Sequence, residues 1–249
     1  MANHDASSVF LQSNPDMMKK ALSLLAVFLV AAMFSATGFA AEKYASGNIG
    51  ISWFNDVTLT PSYEFEGEDF SESFNTGSGI TLLGALGCDY GDYRLEAELG
   101  YQQNDVESLT INGEDGPFDD DEFTFDMEGD ISIVSLLGNA YYDIDLGGVE
   151  LSLTAGVGVA QVNFDDIEYT DDDEQPFMGD GVWNVHETTL AYQLGAGLGI
   201  PVSDGIMLDA RYRYFATTDF TVASTLEYDD AYNANIESHS ALLGLRVSL

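Results

Sequence analysis

Side chains able to do acid–base, nucleophilic or metal chemistry are few in this chain, carboxylates aside. Of three histidines, two, His186 and His239, lie past the first 40 residues. Nucleophilic catalysis needs a base and a hydroxyl within hydrogen-bond reach. His239 is flanked by Ser238 and Ser240, but in an alternating segment both hydroxyls point away from it, and its same-face neighbour is Ala241. His186 shares a face with Thr188, a weak nucleophile with no orienting acid. No Gly-x-Ser-x-Gly elbow and no zinc-like histidine spacing occurs. Cys88 is the single cysteine, so no intramolecular disulfide can form. The expectation is a chain that is not an enzyme and carries no cofactor.

The charged residues fall into two patterns. Arg94, Glu96, Glu98, Glu150, Glu187, Asp209, Arg211, Arg213 and Arg246 are set inside segments that alternate with apolar residues. Most of the others are massed, most densely in Asp119-Asp120-Asp121-Glu122 and Asp171-Asp172-Asp173-Glu174. Oxygen-rich loops suit calcium or magnesium, yet the EF-hand spacing with its central glycine is absent. A solvated, self-repelling surface is the plainer reading of such runs. The formal net charge is −36, which repels nucleic acid. With 45% hydrophobic residues the chain still has the material of a folded domain.

The N-terminus reads as an export signal. Lys19 and Lys20 precede an apolar run from Ala21 to Phe34, and the small residues Gly38 and Ala40 prepare a cut after Ala40. The run is shorter than the ~20 helical residues that cross a hydrocarbon core. Residues 1–17, of mixed composition, lie upstream of a natural start at Met17 or Met18. The expected organisation is an upstream extension (1–17), a cleavable signal peptide (18–40) and one domain (41–249). Processing removes two residues of each sign (Lys19, Lys20, Asp5, Asp16), so the net charge stays at −36.

Past the leader, period-two alternation predicts eight strands, near 44–52, 78–89, 93–103, 131–144, 149–163, 187–200, 206–217 and 238–249. In the fifth, Val149, Leu151, Leu153, Ala155, Val157 and Val159 share a face opposite Glu150, Ser152, Thr154, Gly156, Gly158 and Ala160. One face is greasy and the other small or polar. Strands of ten or more residues are long enough to cross a bilayer at a tilt, and no further sequence exists to cover the greasy face. A soluble, lipocalin-like carrier would put that face inside, leaving glycine, serine and charge outside. Tight turns (Asp89–Asp92, Asp145–Gly148, Pro201–Gly205) alternate with four long acidic loops (53–77, 104–130, 165–186, 218–236), the pattern of a transmembrane barrel. Closure follows, because an open edge in lipid would strand backbone N–H and C=O groups. The fold class expected is all-β: an eight-stranded antiparallel up-and-down transmembrane β-barrel with short periplasmic turns and long extracellular loops.

The segment Tyr44-Ala45-Ser46-Gly47-Asn48-Ile49-Gly50-Ile51-Ser52, the eight-strand layout and the strand-ending C-terminus resemble the OmpA-like small outer-membrane barrels. Such barrels usually end in an aromatic residue that the assembly machinery reads; here Leu249 stands in that place. The expected layout is that of a barrel-only member, without the peptidoglycan-binding domain that some relatives carry. An eight-stranded barrel is only wide enough to be filled by side chains, so the alternating charges are expected to plug it. Its third and seventh strands face each other, which predicts ion pairs from Glu96 and Glu98 to Arg211 and Arg213. The functional expectation is an outer-membrane monomer with a structural or surface-interaction role. Its expected partners are lipopolysaccharide, the barrel-assembly machinery during biogenesis, and divalent cations at the loops. A narrow small-solute porin is the alternative, and a lipid-modifying hydrolase or soluble carrier stands behind it.

Overall fold

The computed structural model describes residues 41–55, 57–61, 70–113, 122–170, 183–223 and 231–249. The expected leader lies outside them. Twelve strands follow in order: β1 (Glu42–Phe54), β2 (Val57–Pro61), β3 (Phe70–Thr76), β4 (Gly79–Asp89), β5 (Tyr93–Gly113), β6 (Glu122–Asp145), β7 (Glu150–Tyr169), β8 (Trp183–Ser203), β9 (Ile206–Thr217), β10 (Phe220–Ala223), β11 (Ala231–Ala234) and β12 (Glu237–Ser248). Eight of them close a ring, β1–β4–β5–β6–β7–β8–β9–β12 and back to β1, with every pairing antiparallel. The first and last strands are zipped from Tyr44↔Ser248 to Phe54↔Ser238, so this ring has no open edge. All eight expected strands are present.

At the short-turn end the sequence dictates the geometry. Asp89 and Asp145 each accept the backbone N–H two residues on, from Gly91 (2.8 Å) and Gly147 (2.7 Å). Both glycines sit at positive φ, 97° and 85°, where a Cβ is disfavoured.

At the other end the structure corrects the loop boundaries. The described parts of the four expected loops are mostly strand. β2 follows β1 after two residues, and β3 leads into β4 in the same way; β9 and β10, and β11 and β12, are related likewise. These short strands pair as β10–β11–β2–β3–β5, while β5 to β8 run on without a break. The Thr218 N–H reaches the Leu190 carbonyl and lays β10 along β8. The barrel wall is therefore much longer than a bilayer crossing requires. β6 alone has 24 residues, whereas a tilted strand needs ~9–11 to cross. Alternation hid this because the ladders shift register at Asp105/Ser108, Glu128/Asp130 and Phe164/Ile167. On β5 and β7 the inward phase reverses there, from Asn104 to Leu109 and from Phe164 to Ile167, and acidic outward residues above then resemble loop composition. At the β6–β7 bulge Gly129 has φ 139° and Asp166 has φ 52°. A Cβ on Gly129 would lie 2.8 Å from the Ile167 Cα.

The two storeys have opposite polarity. Around the lower one, Ile49, Ile51, Leu82, Leu95, Leu99, Leu153, Val157, Leu194, Leu198, Leu243 and Leu245 point outward, with Val157 69% and Leu243 60% exposed. Such a surface in water would be a large apolar liability; in hydrocarbon it is at home. Above it the outward residues turn polar: Gln103, Gln161, Asn163, Asp165, His186 and Glu237. The interior reverses in step. Below, it is charged; above, it holds a buried apolar cluster including Phe54, Val57, Phe74, Leu109, Ile131, Val162, Phe164, Ile167 and Ile236.

Candidate functional site: the barrel lumen

Every arginine of the chain turns into the lower lumen. Arg94 on β5 meets Asp143 on β6 through two bonds, Nε to Oδ2 at 2.5 Å and Nη2 to Oδ1 at 2.9 Å, both side chains being buried. Arg246 on β12 donates to Glu150 at 2.5 Å and Asp209 at 3.4 Å. Glu150 also lies 3.7 Å from Arg94, so the two guanidinium groups share it. One layer higher, Glu96 accepts from the hydroxyls of Tyr141 (2.8 Å), Tyr44 (3.0 Å) and Ser46 (3.2 Å) and from Asn139 (3.4 Å). Arg211 spans Glu96 and Glu98 at 3.7 and 3.8 Å. Gln193 donates to Glu98 (3.2 Å) and to Asn139 (2.7 Å), and its carbonyl oxygen accepts from Arg213 Nε.

Aromatic rings complete the packing. Arg94 lies 4.4 Å from the Tyr141 ring centroid, Arg211 5.1 Å from the same ring, and Arg213 4.5 Å from Phe215. The facing strands make room by carrying glycine. A Cβ on Gly199 would come 3.0 Å from Asp209 and 3.1 Å from Arg246, and one on Gly156 would collide with Asn139. Four arginines thus face five carboxylates (Glu96, Glu98, Asp143, Glu150, Asp209) in one connected, largely buried layer. Removing one partner from such a layer leaves a buried charge uncompensated, which costs far more than an exposed ion pair is worth.

Across the barrel Arg211 reaches both Glu96 and Glu98. Arg213 forms no ion pair within 4.0 Å among the described residues; it is occupied by Gln193 and Phe215. Arg94, Asp209 and Arg246 lie nearer the turn end. Sequence reasoning missed Asp143, which reads as a turn acid beside Asp145. It also missed Tyr44, Tyr141 and Gln193, whose lumen phase was the available signal. Glu187 sits above the membrane band, where partial burial pushes its carboxyl upward. Asp119, Asp120, Asp121, Asp171, Asp172, Asp173 and Glu174 lie outside the described residues; Glu122 opens β6, its side chain not described. Among the described residues no group of three or more His, Cys, Asp or Glu is placed to hold a metal.

Between the charged layer and the apolar cluster lies a neutral polar belt. Asn104 joins Ser52 (3.0 Å), Gln102 (3.3 Å) and the carbonyls of Ser52 and Gly77 (3.2 and 2.9 Å). Above it, Phe74 on β3 and Phe164 on β7 meet across the barrel with ring centroids 6.2 Å apart. Within the charged layer a cavity of about 20 Å³ remains, bordered by Glu98, Tyr141, Gln193, Arg211 and Arg213. That is room for about one water molecule.

A family model described as "Outer membrane protein beta-barrel domain" matches residues 22–247. The chain belongs to this family. It is an outer-membrane protein, and its apolar belt is the surface that faces lipid. Similar solved structures include Neisserial surface protein A (16% identity, TM-score 0.45, covering 83% of this chain and 97% of that one). OprG from Pseudomonas aeruginosa is 12% identical (TM-score 0.48; 85% and 99% covered), and the protease OmpT from Escherichia coli is 12% identical (TM-score 0.47; 86% and 99% covered). No curated protein matches the sequence. Family membership makes the short-turn end periplasmic and the continued wall extracellular.

Proposed function

We propose that this family member is a closed, non-conducting outer-membrane barrel with a structural or surface-interaction role, its acidic extracellular wall being the interacting face. The observation that carries this reading is the double blockage of the lumen. A buried salt-bridge layer fills the membrane storey, and a buried apolar cluster fills the storey above. A solute would have to break both at once, and eight strands leave no width to go around them.

The reading includes no catalysis. His186 bonds to Asn163 at 2.9 Å and His239 to Tyr212 at 2.6 Å, neither being a base–nucleophile pair. It also includes a monomer, seated against lipopolysaccharide after insertion by the barrel-assembly machinery, with divalent cations screening the acidic loops rather than held in a dedicated site. Reconstitution into planar bilayers tests the central part: the wild-type protein inserts without discrete current steps, and a stable ohmic conductance sinks the reading in favour of a narrow pore.

A further inference from the structure

The outward aromatics at the upper edge of the membrane belt are not spread evenly. On four adjacent strands they form one connected patch. Register places Trp53 (β1) opposite His239 (β12), and His239 opposite Tyr214 (β9). The His239 ring lies 5.9 Å from Trp53 at 21°, 5.9 Å from Tyr212 at 29° and 5.3 Å from Tyr214. Tyr192 on β8 extends the row, 6.4 Å from Tyr214. Outward on β4 to β7 the exposed large residues of the upper belt, Ile80, Leu82, Tyr101, Val134 and Val157, include one aromatic. A girdle that merely anchors a barrel would not need this asymmetry.

The patch is apolar in body and polar at its tips. Tyr212 and His239 Nδ1 are 2.6 Å apart. With the phenol as donor, the imidazole keeps its own hydrogen on Nε2, free for an outside acceptor. Just above, Asn55 donates to Glu237 at 3.0 Å. The charge around the patch restricts the partner. Four of the five basic residues past the leader are in the lumen, and the fifth, Lys43, lies at the periplasmic end. This face therefore carries no lysine or arginine to pair with a phosphate. A sugar ring suits it: its C–H face packs on aromatic surface, and its hydroxyls meet Asn, Glu, Tyr and His at one edge.

We propose that the Trp53–Tyr192–Tyr212–Tyr214–His239 patch is a docking surface for the neutral sugar portion of an outer-leaflet glycolipid headgroup. Its height, at the boundary between the apolar belt and the polar wall, is where such a sugar lies.

The test uses the full protein in phosphatidylcholine nanodiscs, in a Trp183→Phe background that leaves Trp53 as its one indole. Trp53 emission is followed as a neutral glycosyl diacylglycerol is added, with sugar-free diacylglycerol, phosphatidylglycerol and lipid A as parallel arms. The expected result is a saturable shift with the glycosyl lipid, absent with diacylglycerol and phosphatidylglycerol. Tyr214→Leu and His239→Leu keep the surface apolar and should weaken it at least tenfold. The difference in gel mobility between heated and unheated samples verifies that each variant is folded. Equal shifts with and without the sugar, Leu variants that bind as well as wild type, or a response to lipid A alone would each overturn the proposal.

Discussion

The membrane storey and the extracellular storey of this barrel share β5 to β8, yet solve opposite problems. Below, the solvent outside is hydrocarbon, so leucine, valine and isoleucine face out and the ion pairs turn in. Above, the solvent is water, so Asp105, Asn163 and Asp165 face out while Ile131, Val162 and Phe164 turn in, Ile131 being 0% exposed. The lesson is that a β-wall has no intrinsic inside. β5 to β8 change solvent along their length, and bulges on β5 and β7 readjust the phase. Stability should accordingly be electrostatic in origin below and hydrophobic above.

Substitutions can separate the two. The largest effect is expected from Arg94→Leu, which strands the buried Asp143 carboxylate and should cost about 4 kcal/mol. Adding Asp143→Leu should recover part of that loss, as measured by urea unfolding from lipid vesicles. Ile131→Ala removes packing from the upper cluster and should cost about 3 kcal/mol, with no second substitution able to restore it. Gly129→Ala places a Cβ at φ 139° against Ile167. It should cost about 1–2 kcal/mol, read as a lower midpoint in the same assay.

The smallest effect has an informative sign. Asp105 faces Asp130 across the β5–β6 ladder on the watery side. A hydrogen bond from one carboxyl to the other, with some burial and the nearby Asp130 charge, raises the Asp105 pKa above the ordinary carboxylate value. Folding therefore favours its protonated form. The penalty is full above the raised pKa and is relieved as pH falls through it toward the unfolded value, so mild acidification should stabilise the wall slightly. Asp105→Asn should be marginally more stable than wild type near neutrality and lose that pH response in a thermal melt at graded pH.

The sequence made the lower storey legible and the upper one much less so, for a physical reason. From Leu151 to Val159 alternation is unbroken and the outward face reads directly. Past Phe164 the bulge turns Ile167 inward, and a reader counting by twos loses the strand there. The lumen arginines were visible by phase, but partner choice depends on register and barrel shear, which is why Asp143 and the shared role of Glu150 were not. The patch around His239 is less visible still: its members come from four strands, and Ser238 and Ser240, adjacent in sequence, face the other way.

The account rests on the polarity reversal, and spin-label accessibility along β7 tests it most directly. Single cysteines in a Cys88→Ser background would carry nitroxides at Leu153, Val157, Gln161 and Asp165. The prediction is high oxygen and low nickel-chelate accessibility at Leu153 and Val157, with the ratio inverted at Gln161 and Asp165. Nickel-chelate access at Val157, or a hydrocarbon-like signal at Asp165, would contradict it.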